Sequence, residues 1–136
     1  MKNLILIFSL ITLSATVSFA QCDKKVKFTS SKTDHLDSGG NITRTQQEDA
    51  VVQISKSEVT ITVSGESRGA FIIKSITCDW KVPFKEGKTT IRASMDDLTV
   101  SLTFEGKGGK VTAQFVAEGH EDDVIRVVAD KFEEEI

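Results

Sequence analysis

Apolar and polar residues alternate through most of the chain after residue 25, and this alternation predicts β-strands. The alternating stretches are rich in Val, Ile, Thr and Phe, and short turns such as Asp96-Asp97 separate them. Pairing across these turns places apolar residues opposite each other, as with Ala93 and Val100. The pattern predicts seven antiparallel strands in up-and-down order that share one apolar face, on which Lys74 is an exception.

Pairing across the individual turns predicts a register for each hairpin. The shared apolar face should place Val26 opposite Ile54, Val52 opposite Ile61, Ile61 opposite Ile72, Trp80 opposite Ile91, and Phe104 opposite Val111.

After Gly119 the spacing of apolar residues changes to that of an amphipathic helix, with Val124, Val128 and Phe132 on one stripe. A helix over about residues 120–134 needs an apolar surface, and the inner face of the strands is the only large one available. The sequence therefore predicts a mainly β (α+β) fold. A seven-stranded antiparallel up-and-down meander forms a curled sheet or incomplete barrel, and the C-terminal helix packs on its concave face.

Residues 1–20 have the features of a secretory signal peptide. Lys2 precedes the apolar run "LILIFSLITL", and Ser18-Phe19-Ala20 fits a small-x-small cleavage site. The apolar run is too short to span a bilayer, so the mature chain, residues 21–136, is expected to be one domain without a transmembrane segment. A lipoprotein signal ending at Cys22 is disfavoured, because Gln21 precedes that cysteine. A periplasmic or secreted location is expected.

The two cysteines, Cys22 and Cys78, are predicted to form a disulfide. An exported chain meets an oxidising environment, in which an isolated pair of cysteines normally becomes bonded. Both residues have the parity of the apolar face. The disulfide should therefore attach the leading end of the first strand to the fourth strand.

The charge of the chain disfavours some classes of partner. It contains 17 Lys and Arg residues against 20 Asp and Glu residues. The acids concentrate in residues 118–136, which carry eight of them against Arg126 and Lys131. The remainder is too weakly basic to indicate binding to nucleic acid or to an anionic membrane.

The first predicted hairpin has an unusual outer half, because residues 31–48 are polar on both faces. One interpretation is a projecting arm that contacts a partner, and the other is a twisted ribbon or disordered loop without a partner. The residues of this possible interaction arm are Lys32, Asp34, His35, Leu36, Arg44, Gln46 and Glu48. A possible apolar patch is formed by Phe71 and Ile73, which fall on the outer parity of the fourth strand.

Candidate chemistry is sparse. Asp34, His35 and Asp37 could offer ligands to a metal, but on a strand Asp34 points away from the other two, and two ligands make a poor site. The chain has no Tyr, both cysteines are expected to be bonded, and neither histidine has an evident nucleophile beside it. We expect no cofactor, no metal site and no enzymatic activity.

Two functions remain open. The first is an interaction module of the cell envelope, with an envelope protein as its partner. The alternative is a carrier of a small apolar ligand, by analogy of architecture with up-and-down barrels such as lipocalins. Large inward residues, among them Phe28, Trp80 and Phe104, are expected to fill the interior, and a cavity of about 300 Å³ or more would instead favour the carrier. The sequence does not indicate the oligomeric state.

Overall fold

The computed structural model describes residues 22–135, which form nine β-strands; the predicted signal peptide and its cleavage site lie outside this range. The strands are β1 (Val26–Leu36), β2 (Ile42–Ile54), β3 (Glu58–Val63), β4 (Glu66–Val82), β5 (Glu86–Met95), β6 (Leu98–Lys107), β7 (Lys110–Ala117), β8 (Val124–Val128) and β9 (Lys131–Glu134). Each strand from β1 to β7 pairs antiparallel with the next one, and β8 pairs with β1. The sheet therefore closes into an eight-stranded barrel, and β9 lies beside the first half of β1. The prediction of a mainly β, antiparallel up-and-down fold is confirmed.

The predicted C-terminal helix is wrong, because residues 120–134 contribute two strands. In β8, Ile125 lies between Phe115 of β7 and His35 of β1. In β9, Phe132 lies opposite Phe28. The run "VIRVV" is rich in β-branched residues, and without β8 the facing edges of β7 and β1 would keep unpaired backbone groups. Pairing satisfies both edges and replaces the predicted incomplete barrel by a closed one.

Several predicted registers are confirmed. Val26 lies opposite Ile54, Val52 opposite Ile61, and Ala93 opposite Val100. The predicted register between β6 and β7 is wrong by two residues, because Phe104 faces Ala113 instead of Val111. The cause is a tight turn through two glycines at 108 and 109, with φ of 60° and 84°, that is shorter than the predicted loop.

The predicted register of β3 with β4 and the predicted apolar patch are both wrong, for the same reason. A register shift between β3 and β4 places Ile61 opposite Gly69 and Val59 opposite Phe71. Phe71 therefore points inward and is 4% exposed, and Ile73 packs against the core. The expected outer patch of Phe71 and Ile73 is wrong, because the irregularity changes which face of β4 is buried.

A second irregularity in β4 explains why Lys74 does not follow the apolar pattern of the inner face. The ladder with β5 shifts between Ile73 and Ser75, which leaves Lys74 out of the pairing and exposed to solvent. The shift also changes the register beyond it, so that Ile91 faces Ile76 instead of Trp80, which lies opposite Gly87.

One end of the barrel is closed by aromatic side chains that we call the aromatic plug. Its central ring is Phe132 of β9, whose ring centroid lies 5.0–5.9 Å from each of the other four. The other members are Phe28, Trp80, Phe84 and Phe104. Trp80 Nε1 donates a hydrogen bond of 2.7 Å to Oγ1 of buried Thr89, so the one polar group of this tryptophan is satisfied.

The disulfide lies at the same end and confirms the predicted pairing. Cys22 and Cys78 are bonded, with their Cα atoms 5.9 Å apart. The bond attaches the segment before β1 to β4 beside Trp80, as the parity of the two cysteines indicated. Together with Phe84 and Phe132 it leaves a cavity of only about 30 Å³ at this end.

Gly106 allows the aromatic plug to pack, and its replacement by alanine is expected to lower the free energy of unfolding by about 1–3 kcal/mol. A Cβ at this position would lie 2.6 Å from Trp80 Cζ3 and 2.7 Å from the carbonyl oxygen of Lys85. Urea unfolding of Gly106→Ala measures the loss, and Lys107→Ala, at the neighbouring exposed position, is the control. Equal stability of the two variants would contradict the contact.

Candidate functional site

The two ends of the barrel differ. The aromatic plug and the turns after β2, β4, β6 and β8 form the closed end. The opposite end, which we call the mouth, carries the loops after β1, β3, β5 and β7. The interior near the mouth contains a cavity of about 420 Å³, a size typical of small-molecule binding sites. The expectation that large side chains fill the whole interior is therefore wrong for this half of the barrel.

The cavity has an apolar wall and a small number of polar groups. Phe104 of the aromatic plug contributes to the wall, and alanines at positions 50 and 113 leave space where larger side chains would fill it. The other apolar lining residues are Val52, Ile61, Val63, Leu102, Phe115, Ile125 and Val127. The polar ones are Thr33, His35, Gln46, Glu48, Arg68 and Gln114.

His35 is held between two charged neighbours. Its Nδ1 lies 3.1 Å from Asp123 Oδ1, and Arg44 Nη2 lies 3.2 Å from its Nε2. A guanidinium group can only donate, so Nε2 accepts from Arg44 and Nδ1–H donates to the carboxylate of Asp123. The three side chains connect β2, β1 and the loop before β8.

Asp34 lies next to His35 on the outer face and connects β1 with β2 and β8. Thr45 Oγ1 donates to its Oδ1 at 2.7 Å, and Arg126 Nη2 lies 3.7 Å from its Oδ2. Asp34 is only 8% exposed, so its carboxylate needs these partners. The contacts hold β2 and β8 on either side of β1 where the barrel closes.

The predicted arm does not project from the barrel. Thr33–Leu36 of β1 pair with β2 on one side and β8 on the other, and both Asp34 and Leu36 are buried. His35, Gln46 and Glu48 line the cavity. Arg44 is exposed and contacts His35, and Lys32 is exposed. The cause is the pairing of β1 with β8. The sequence predicts a helix for the residues of β8, so no strand was expected beside this part of β1.

The cavity was missed from the sequence, although one signal pointed to it. Gln46 and Glu48 share the parity of Ala50 and Val52, so alternation alone places all four on the inner face of β2. Along the inward-facing positions of β2, the change from apolar to polar residues marks the position where the packed core ends and the solvent-accessible interior begins.

Asp34, His35 and Asp37, the candidate metal ligands, are hydrogen-bonded within the fold. Within residues 22–135 no group of three His, Cys, Asp or Glu side chains is placed to hold a metal ion. Asp37, one of the candidate ligands, instead stabilises the turn between β1 and β2. Its Oδ1 accepts hydrogen bonds from the backbone N–H groups of Gly39 at 3.0 Å and Asn41 at 2.9 Å.

The turn at Asp37 should depend on pH. The backbone hydrogen bond from Asn41 lowers the pKa of Asp37. A carboxyl group whose pKa is lower in the folded state stabilises the fold above its unfolded pKa, and this contribution is lost as the pH falls through the folded pKa. NMR titration should give Asp37 a midpoint below that of an aspartate in an unstructured peptide. A midpoint at or above that reference would contradict the hydrogen bond.

Comparisons of the chain with protein-family models, with curated proteins and with solved structures find no match. In the part of the chain from residue 22 to residue 135, no helix is long and apolar enough to cross a membrane. The geometry alone defines the class: a closed, antiparallel up-and-down β-barrel that is plugged at one end and contains a cavity near the other.

Proposed function

We propose that the protein binds a small apolar or amphipathic ligand in the cavity of its barrel. The supporting observation is the cavity of about 420 Å³ with a mainly apolar wall. The aromatic plug seals the opposite end, so a ligand would enter through the mouth. Burial of apolar ligand surface against this wall would contribute about 25 cal/mol per Å², and the polar lining groups would orient the ligand.

Binding is favoured over catalysis by the chemistry of the lining. The lining residues include His35 but no serine or cysteine that could act as a nucleophile. Both ring nitrogens of His35 already have partners in Asp123 and Arg44. We therefore propose a carrier or binding protein and not an enzyme.

A periplasmic or secreted location is part of the same proposal. The Cys22–Cys78 disulfide is suited to an oxidising compartment, because the reducing conditions of the cytosol keep most cysteine pairs in the thiol form. The signal-like residues 1–20 support export independently.

An interaction module with an envelope protein as partner is the weaker proposal. Of the two surfaces that suggested it, the apolar patch is buried and the arm is part of the barrel wall. The outer part of β2 remains exposed from Ile42 to Gln47, but its side chains are mainly polar.

Filling the cavity should weaken ligand binding strongly. Ala113 lines the cavity, and Thr112 is the neighbouring residue on the outer face of β7. Binding of the neutral apolar probe N-phenylnaphthylamine, followed by its fluorescence, is expected to be about tenfold or more weaker for Ala113→Phe, a loss of at least about 1.4 kcal/mol. Thr112→Phe is the matched control and should bind like the unmodified protein.

Thermal unfolding checks that both variants are folded. Equal probe affinity of a folded Ala113→Phe variant and of the unmodified protein would overturn the proposal. The result would show that the probe does not occupy the cavity.

A further inference from the structure

We infer that the ligand of this cavity is an organic cation, such as an amphipathic amine, with its apolar body inside the barrel and its positive group bound by Glu48. The inference rests on the proposed ligand-binding function and names the class of ligand. It depends on the distribution of charge between the two ends of the barrel and on the surroundings of Glu48.

Carboxylates dominate the loops at the mouth. Residues 37–41, 64–65, 96–97 and 118–123 contain seven carboxylates and neither lysine nor arginine. At the closed end, lysines and carboxylates are balanced: the turns at residues 55–57 and 83–85 contain Lys56 and Lys85, and the segments at residues 22–25 and 129–135 carry three further lysines against five carboxylates. A ligand that approaches the cavity therefore crosses a region of negative potential, which raises the local concentration of cations and lowers that of anions.

Most of this negative charge is not neutralised by neighbouring side chains. Glu118 pairs with Arg92 at 2.7 Å and Asp123 accepts a hydrogen bond from His35 at 3.1 Å. Asp96, Asp97 and the other mouth-loop carboxylates form no ion pair within residues 22–135. Backbone hydrogen bonds further stabilise the charged forms of two of them.

Those two carboxylates are Asp37 and Glu121. The amide of Asn41 lowers the pKa of Asp37. The pKa of Glu121 is lowered by its own backbone amide and by that of Gly119. Both groups therefore keep their charge to a lower pH than an ordinary carboxyl group does.

Glu48 brings a negative charge into the cavity itself. It lines the cavity and is half-buried, and within residues 22–135 its side chain has neither an ion pair nor a hydrogen bond. A carboxylate that has lost part of its hydration is unfavourable without a partner, and the positive group of a ligand would supply one.

The cations near the cavity do not favour an anionic ligand to the same degree. Arg44 is engaged by Nε2 of His35 at 3.2 Å. Arg68 also lines the cavity, but it is exposed, so water and salt screen its charge more than that of Glu48.

Three ligands with the same apolar chain and different head groups test the inference. Decylamine, decanol and decanoate are compared by their displacement of N-phenylnaphthylamine from the oxidised full-length protein at neutral pH, below their micelle-forming concentrations. Decylamine is expected to bind about tenfold or more tightly than decanoate, and its advantage should fall as salt is added.

Variants locate the positive group. Glu48→Gln is expected to weaken decylamine binding by about tenfold and to leave decanol unchanged, because only the charged interaction is removed. Glu66→Gln removes a carboxylate near the mouth that does not line the cavity, and it should have little effect.

The outcomes separate the two proposals. Equal or tighter binding of decanoate, especially if Arg68→Gln weakens it, would overturn the cationic ligand and leave the cavity as the binding site. Equal decylamine affinity of Glu48→Gln and the unmodified protein would also overturn it. Failure of all three ligands to displace the probe, combined with unchanged probe binding by Ala113→Phe, would overturn the binding function itself.

Discussion

Replacement of both cysteines by serine is expected to lower the free energy of unfolding by about 4 kcal/mol. The disulfide closes a loop between residues 56 positions apart, and its removal enlarges the set of unfolded conformations. No strand includes residues 22–25, and the bond attaches this segment to β4. A domain of this size is stabilised by about 5–15 kcal/mol in total, so the loss is a large part of its stability.

Urea unfolding of the Cys22→Ser/Cys78→Ser variant measures this loss. Unmodified protein that has been reduced and kept reduced is the matched control and should lose a similar amount. A difference below about 1 kcal/mol between the oxidised protein and the variant would contradict a structural role, since native disulfides in small domains contribute about 2–5 kcal/mol.

Phe132→Ala is expected to lower the free energy of unfolding by about 3 kcal/mol. The ring of Phe132 lies at the centre of the aromatic plug, 5.0 Å from Phe84 and 5.8 Å from both Trp80 and Phe104 between ring centroids. Its removal takes away apolar burial and leaves a space that the surrounding rings can fill only partly. We place the effect at the low end for a buried aromatic residue, because Phe132 is half-buried.

Glu133→Ala is the matched control, since this neighbouring side chain of β9 is exposed. Its ion pair with Lys131 joins two exposed groups and should contribute about 0–1 kcal/mol. Equal stability of the two variants would show that the C-terminal segment does not pack inside the barrel. The comparison also tests β9 directly, because its pairing with β1 directs Phe132 inward and Glu133 outward.

The strands were predictable because one face of each is buried. Alternation fixed the pairing of β5 with β6, where Asp96-Asp97 forms a two-residue turn and Ile91 faces Leu102 as expected. The same reasoning failed along β4, because its register shifts against β3 and β5 change which parity points inward. A short apolar sequence carries no marker of such an irregularity, although Lys74 on the predicted inner face was an indirect sign of one.

The C-terminal strands were not predictable from local periodicity alone. Val124 and Val128 are four residues apart, which fits one face of a helix, but the β-branched run between them suits a strand equally well. The facing edges of β7 and β1 favour the strand, and those edges exist only once the other strands have assembled. A tertiary requirement therefore outweighed the local pattern.

The cavity was only partly predictable. The parity of Glu48 placed its side chain inside, but residue types do not show whether inward side chains meet. Phe28 and Phe104 do meet at the closed end, with ring centroids 5.5 Å apart. Near the mouth, Ala50 and Ala113 are too small to close the space between opposite walls.

The pairing of β1 with β8 has a consequence for how the chain reaches its native state. His35 and Asp123, which meet where the barrel closes, are separated by 88 residues in the sequence. Contacts between such distant residues form slowly, on a scale of about milliseconds to seconds in all-β domains. During synthesis, the edge of β1 that pairs with β8 and β9 has no partner strand until these last strands have been made. A chain truncated before Val124 would keep that edge exposed and would be prone to aggregate.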